Sequence, residues 1–143
     1  MTLMMQLEPT HGYPMAVALS SIGVLVWAAF GVGGARKKYD VKYPQMYAEK
    51  SHPDADAFNC YQRAHQNMLE NYAPFMVLLG MSSIHRPALA AAFGAIRLAG
   101  FVFYVKGYQT GKPEKRHKGT FGYIGLLGMI VLSGELSVRL ILS

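Results

Sequence analysis

A polar face on one predicted helix carries side chains that are well suited to chemistry. Arg63, Asn67 and Glu70 are spaced i, i+4 and i+7, so in a helix they share one face. They present a cation, an amide and an anion just before a long apolar run. Polar groups that enter a bilayer are costly and usually face a partner helix or a water-filled site. The face is therefore either a structural Arg–Glu pair that locks helices together or a ligand site.

A second set of polar groups follows on a later predicted helix and its loop. Tyr104 and Tyr108 lie one turn apart, on a face that also carries Arg97 and Phe101. This pattern suits an interfacial aromatic belt, and it also offers two hydroxyl donors. The adjacent cations of a basic loop come next, Lys115 and Arg116.

The composition indicates an integral membrane protein. Of 143 residues, 52% are hydrophobic and only 15% are charged, with a mean hydropathy of +0.17. Soluble domains usually carry about a quarter charged residues. The apolar residues cluster in long runs, and the length suits one domain, residues 1–143.

Four hydrophobic or amphipathic segments predict an all-α fold, a four-helix transmembrane bundle. The uncharged run from Tyr13 to Gly34 would span roughly 33 Å as a helix, enough for the hydrocarbon core. Near the end of the last segment, the i, i+4 spacing of Glu135 and Arg139 predicts an intrahelical ion pair. We expect the helices at about 13–34, 57–84, 88–109 and 120–142.

The cations set the expected orientation. The formal charge is +6 and the sequence pI is about 9.5, a balance that can indicate nucleic acid. Here the cations lie in loops between apolar runs, which fits contact with anionic lipid better and argues against a nucleic-acid partner. The positive-inside rule puts loops 35–56 and 110–119 in the cytosol and both termini on the opposite side.

This orientation gathers the candidate side chains at one level of the membrane. The second helix begins and the third ends at the cytosolic face, beside Arg36 and the Lys115–Arg116 pair. Together these residues offer cations for carboxylates, an acid for an ammonium group and hydroxyls for a developing anion. The expected ligand is a small zwitterion of net negative charge, with an apolar groove beneath it for a lipophilic second substrate.

Other kinds of site find little support. The lone Cys60 excludes an intrachain disulfide and is expected to pack at a helix entrance. The histidines at 52, 65, 85 and 117 lack the paired spacing of a metal site, so no metal is expected. No glycine-rich phosphate loop occurs.

The segment from Phe58 to Glu70 resembles the signature R-A-x-x-N-x-x-E of the MAPEG family, membrane-associated proteins in eicosanoid and glutathione metabolism. The longer sequence pattern around it, F-N-C-x-Q-R-A-H-Q-N, is similar to that of type 3 microsomal glutathione S-transferases. Similar pieces occur at 35–39, 43–47 and 107–116.

The resemblance implies a homotrimer in the endoplasmic reticulum or a related membrane, with glutathione as co-substrate bound between neighbouring subunits. The other substrate would be a lipophilic electrophile or a lipid hydroperoxide. His65 occupies a position that is Gln in the leukotriene C synthase branch, and Asn71 stands where that branch has Tyr. Matched to the family's motifs, the glutathione-binding residues would be Arg36, Arg63, His65, Asn67, Glu70, Tyr104 and Tyr108.

The family's catalytic arginine, which stabilises the glutathione thiolate, maps to the loop after Tyr108. Ungapped counting reaches Lys115, and we assign the role to its neighbour Arg116, with Lys115 as the alternate. A guanidinium keeps its charge beside sulfur.

Two other functions are compatible with parts of the pattern. One is a non-catalytic lipid-presenting protein similar to the five-lipoxygenase-activating protein, which would need no thiolate stabiliser. The other is a small channel or transporter subunit whose Arg–Glu face is structural. The intact polar motif favours the enzyme over the first of these. Without the resemblance the channel or transporter would rank first, but the polar residues cluster at one membrane interface rather than through the membrane depth.

Overall fold

The computed structural model describes residues 6–143, and this part of the chain is helical with no strand. A short 3₁₀ turn, Pro9–His11, precedes the first helix, and a 3₁₀ segment, Pro113–Gly119, precedes the last. The all-helical prediction is confirmed. The four α-helices are α1 (Gly12–Lys38), α2 (Ala55–Ser83), α3 (Pro87–Tyr108) and α4 (Gly122–Ile141).

The helix bounds differ from the predicted ones mainly at the first basic loop. α1 continues to Lys38, so Arg36 lies in its last turn and not in the loop. Cations interact favourably with the negative end of the helix dipole, which explains why the helix extends through them. The loop is therefore 39–54, shorter than the predicted 35–56. At the other end of the chain α4 begins at Gly122, two residues later than expected.

Three helical segments are long and apolar enough to cross a membrane: Pro9–Lys38, Pro87–Tyr108 and Gly122–Ile141. Large apolar side chains point outward along them, such as Phe30 on α1 and Val131 on α4. Apolar residues around the whole circumference are typical of helices surrounded by lipid. α2 is not in this group, because its first half carries the polar face.

Glycines bring α3, the 3₁₀ segment and α4 into close contact. Gly100 faces Gly122, where an added Cβ would lie 2.9 Å from the Cα of Gly100. Two turns further on, Gly107 faces the backbone carbonyl of Lys115. Any larger side chain at these positions would push the backbones apart. The 3₁₀ segment therefore lies directly on the C-terminal half of α3.

At the opposite end of the bundle, Glu135 joins α4 to the start of α3. Its carboxylate accepts hydrogen bonds from Arg86 at 2.7 and 2.9 Å and from Arg139 at 2.8 Å. His85 Nε2 lies 3.3 Å from the same carboxylate. The predicted Glu135–Arg139 pair is confirmed, and Arg86 adds a link between helices. This link also holds the pKa of Arg86 above its usual value.

Candidate functional site

Three of the predicted site residues line one cavity of about 290 Å³. Asn67 comes from α2, Tyr104 from α3 and Arg116 from the 3₁₀ segment. The cavity extends past them to Thr120, which follows the 3₁₀ segment, and to Tyr123 in the first turn of α4. We call it the inner cavity. It brings an amide, a phenol and a guanidinium to one small volume.

A second cavity of about 390 Å³ lies at the same end of the molecule, and we call it the outer cavity. Arg63 and Tyr108 line it, together with Asp56, Asn59 and the buried thiol of Cys60. The Tyr104 and Tyr108 rings meet edge to face, with 5.1 Å between their centroids. Because Tyr104 lines the inner cavity and Tyr108 the outer one, this ring contact connects the walls of the two cavities.

The polar face of α2 forms as its spacing predicts. Arg63 and Glu70 make a bidentate ion pair, with hydrogen bonds of 3.0 and 3.3 Å. Both partners belong to α2, and their side chains are 43% and 46% exposed. The pair therefore does not lock two helices of this chain together, as the structural interpretation would require. Its exposure leaves both charges accessible to a ligand or to another chain.

The structure distinguishes the two candidate cations of the second basic loop. Arg116 lines the inner cavity, and its guanidinium carbon lies 5.9 Å from the centre of the Tyr108 ring. Its Nη1 donates to the carbonyl of Pro113 at 3.0 Å, which restrains the side chain. Lys115 contributes its backbone carbonyl to the contact with Gly107 and is not among the residues that line the inner cavity.

Of the predicted residues, four line neither cavity: Lys115, Glu70, which pairs with Arg63, and also Arg36 and His65. Arg36 donates to the carbonyl of Gln45 at 2.7 Å, and its guanidinium carbon lies 4.3 Å from the centre of the Tyr43 ring. It thus fastens the 39–54 loop to α1. His65 is half-buried on α2 and lines neither cavity. Within one chain, neither Arg36 nor His65 joins the others.

The inner cavity also contains residues that the sequence analysis did not assign to a site. Arg97 and His117 line it, together with Thr120 and Tyr123. Arg97 is the notable one, because it lies in the middle of an apolar helix whose other charged residue, Lys106, is in the last turn, and because it is only 6% exposed. An arginine in such a run is itself a sequence signal for a functional position. The sequence pattern alone places it on an aromatic face.

The charge of the inner cavity is entirely positive. Arg97 and Arg116 contribute cations to its lining, and no carboxylate does. Within residues 6–143 there is also no group of His, Cys, Asp and Glu side chains that could hold a metal ion. An anionic ligand is therefore the natural occupant of this cavity.

Comparison with known proteins identifies relatives along most of the chain. The sequence model of the MAPEG family matches residues 14–134. The chain is also similar to the uncharacterized protein sll1147 of Synechocystis sp. (strain ATCC 27184 / PCC 6803 / Kazusa). The two are 36% identical over 123 residues, which cover 85% of this chain and 83% of that protein.

Proposed function

Because the chain belongs to the MAPEG family, a family of helical membrane proteins, we propose that it is a membrane-bound glutathione transferase that can also act as a peroxidase. The family includes glutathione transferases and peroxidases, and also non-enzymes. Within the family, the amino-acid sequence of the Phe58–Glu70 segment suggests the type 3 microsomal branch. The single observation that supports activity most strongly is the meeting of Asn67, Tyr104 and Arg116 at one cavity.

Arg116 would supply the chemistry by stabilising the thiolate. A free thiol has a pKa of about 8.5, so only a few per cent is ionised at pH 7. A guanidinium beside the sulfur lowers that pKa, and a shift of about two units corresponds to roughly 2.7 kcal/mol. The Tyr104 hydroxyl lies in the same cavity and can donate a hydrogen bond to the developing anion.

The thiolate then reacts with a lipophilic partner. In conjugation, sulfur forms a bond to an electrophilic carbon, and the displaced electron pair takes up a proton or departs with a leaving group. In peroxide reduction, sulfur attacks the terminal oxygen, the O–O bond breaks and the alkoxide is protonated to an alcohol. A second glutathione resolves the sulfenate, giving the disulfide and water.

The remaining candidate residues would hold the tripeptide. Glu70 suits its ammonium group and Arg63 a carboxylate, since both side chains are exposed beside the outer cavity. Arg36 lies apart from both cavities of its own chain, which fits a site shared between protomers of a homotrimer. His65 would contribute in the same way. We expect this assembly in the endoplasmic reticulum or a related membrane, with the 39–54 and 110–119 loops in the cytosol.

Removing the thiolate stabiliser tests the proposal. We expect Arg116→Ala to lower kcat for conjugation of chlorodinitrobenzene about 25-fold at pH 7, because the thiolate fraction falls from roughly three quarters to a few per cent when the thiol pKa returns from about 6.5 to about 8.5. Thiolate absorbance of the glutathione complex should fall in parallel. Lys115→Ala is the matched control and should keep most of the activity. Wild-type protein that is folded, yet produces neither thiolate nor conjugate, would contradict the proposal.

The second candidate is a lipid-presenting protein without catalysis. The Arg63–Glu70 pair favours it to some degree, because these two charges already satisfy each other without a ligand. Calorimetry separates the two functions, since only the enzyme should bind glutathione.

A further inference from the structure

Arg97 is a buried cation whose charge has no anionic partner. It is 6% exposed, and no carboxylate of residues 6–143 lies within ion-pair distance of it. Its Nη2 donates to the neutral amide oxygen of Asn71 at 3.3 Å. Its Nε is buried without a hydrogen-bond partner.

Aromatic rings hold the guanidinium but leave its charge uncompensated. The guanidinium carbon lies 4.3 Å from the centre of the Phe101 ring and 5.0 Å from that of Tyr123. Such contacts are individually weak. They do not offset the desolvation penalty of a buried, unpaired charge. The inner cavity, which Arg97 lines, is the place where a counter-charge can sit.

The depth of Arg97 indicates where that anion comes from. Gly122, the first residue of α4, faces Gly100, and an added Cβ there would lie 3.7 Å from Nη1 of Arg97. The guanidinium therefore lies beside the first turn of α4, at the end of that apolar span and at the middle of the α3 span. A charge at this depth is costly unless it is paired, so an amphiphile that enters the cavity from the bilayer can supply the anion.

One side of the inner cavity is formed by a residue that is also exposed on the lipid-facing surface of α4. Tyr123 lines it and is nevertheless 55% exposed, and Phe121 and Ile124 beside it are exposed as well. A molecule dissolved in the bilayer can thus present its polar end to Arg97 while its apolar body stays against α4.

We propose that Arg97 binds the carboxylate of an amphiphilic second substrate and so selects acids over neutral lipids. This inference rests on the proposed function and names the substrate class of the same site. Arg116 and Arg97 line the same small cavity, so sulfur and carboxylate would be held at its two cations. The electrophilic atom must then lie close to the carboxylate in the substrate's structure.

Glutathione is the weaker candidate for this guanidinium. In the proposed function its ammonium group is assigned to Glu70, one carboxylate to Arg63 and the other, across a protomer boundary, to Arg36. Arg97 is buried on the far side of Phe101 and Tyr104 along α3. The test must nevertheless separate the two carboxylate sources.

The experiment compares ethacrynic acid, a compact unsaturated ketone with a carboxylate, with its neutral methyl ester. Sulfur adds to the terminal alkene carbon, and the adjacent carbon takes up a proton, in both compounds. We expect wild-type protein to show at least a tenfold lower KM for the acid, equivalent to about 1.4 kcal/mol. Arg97→Gln should bring the ratio of the two KM values close to one. Arg97→Lys, which keeps the charge, should retain part of the preference.

Three controls make the result specific to this residue. Arg139→Gln removes a cation at the opposite end of the molecule and should leave the acid preference unchanged. Calorimetric affinity for glutathione should persist in Arg97→Gln. Binding of oleate against methyl oleate tests the anion site without turnover, and it applies even where the transferase proposal fails.

Several outcomes would overturn the inference. Equal KM values for acid and ester in wild-type protein would do so, as would a preference that survives in Arg97→Gln. A tenfold loss of glutathione affinity in Arg97→Gln, with the acid preference intact, would assign the guanidinium to glutathione. Absence of glutathione binding and of all turnover would instead refute the proposed function, while oleate binding would still decide the role of Arg97.

Discussion

The bidentate Arg63–Glu70 pair contributes little to the stability of the fold. Exposed ion pairs contribute about 0.2–1 kcal/mol, and this one joins residues of a single helix. We therefore expect Glu70→Gln to change the free energy of unfolding by less than about 1 kcal/mol. The same change should raise KM for glutathione about tenfold with little effect on kcat, because it removes a charged contact made before and during reaction.

Steady-state kinetics and thermal unfolding in detergent measure the two effects of Glu70→Gln. Glu49→Gln, in the exposed loop, is the matched control and should change neither. A lower kcat with unchanged KM would mean that Glu70 acts on the reacting atoms rather than on the tripeptide.

At the scale of elements, the contact between α3 and α4 depends on the absence of side chains. A methyl group at Gly122 would lie 2.9 Å from the Cα of Gly100, and relieving this clash requires one of the two helix backbones to move. We expect Gly122→Ala to destabilise the protein by about 1–3 kcal/mol, as overpacked cores do. It should also weaken activity, because the same turn borders the inner cavity.

Gly134 provides the control for that substitution on the same helix. Nothing lies within 4 Å of a Cβ added there, so Gly134→Ala should change stability by no more than about 1 kcal/mol. Thermal unfolding followed by circular dichroism compares the two variants. Equal melting temperatures would show that the α3–α4 contact adapts to the methyl group.

At the scale of the whole molecule, the position of Arg36 leads to a prediction about assembly. Its guanidinium binds the 39–54 loop of its own chain, away from the inner and outer cavities. If glutathione contacts it, the site must form between chains. We expect light scattering of the purified protein in detergent to give a protein mass close to three times 15.8 kDa. A mass of 15.8 kDa would contradict a shared site.

Much of the fold was predictable because apolar runs and helical periodicity are local properties. The shared face of Arg63 and Glu70 follows directly from 3.6 residues per turn. The choice between Lys115 and Arg116 does not follow from helical periodicity, because it depends on how the 3₁₀ segment lies against Gly107. Arg97 was missed as a site residue for a similar reason: its burial beside Asn71 and Tyr123 arises from packing of three helices.

The contact of Gly107 with the carbonyl of Lys115 has a consequence for evolution. On the side of the 3₁₀ segment this contact uses backbone atoms alone, so it does not depend on the side chains at 114–117. Mutations at 114–117 can then alter reactivity with little penalty to folding. Divergence of new activities within such a scaffold would proceed through this segment, whereas Gly107 itself would tolerate almost no replacement.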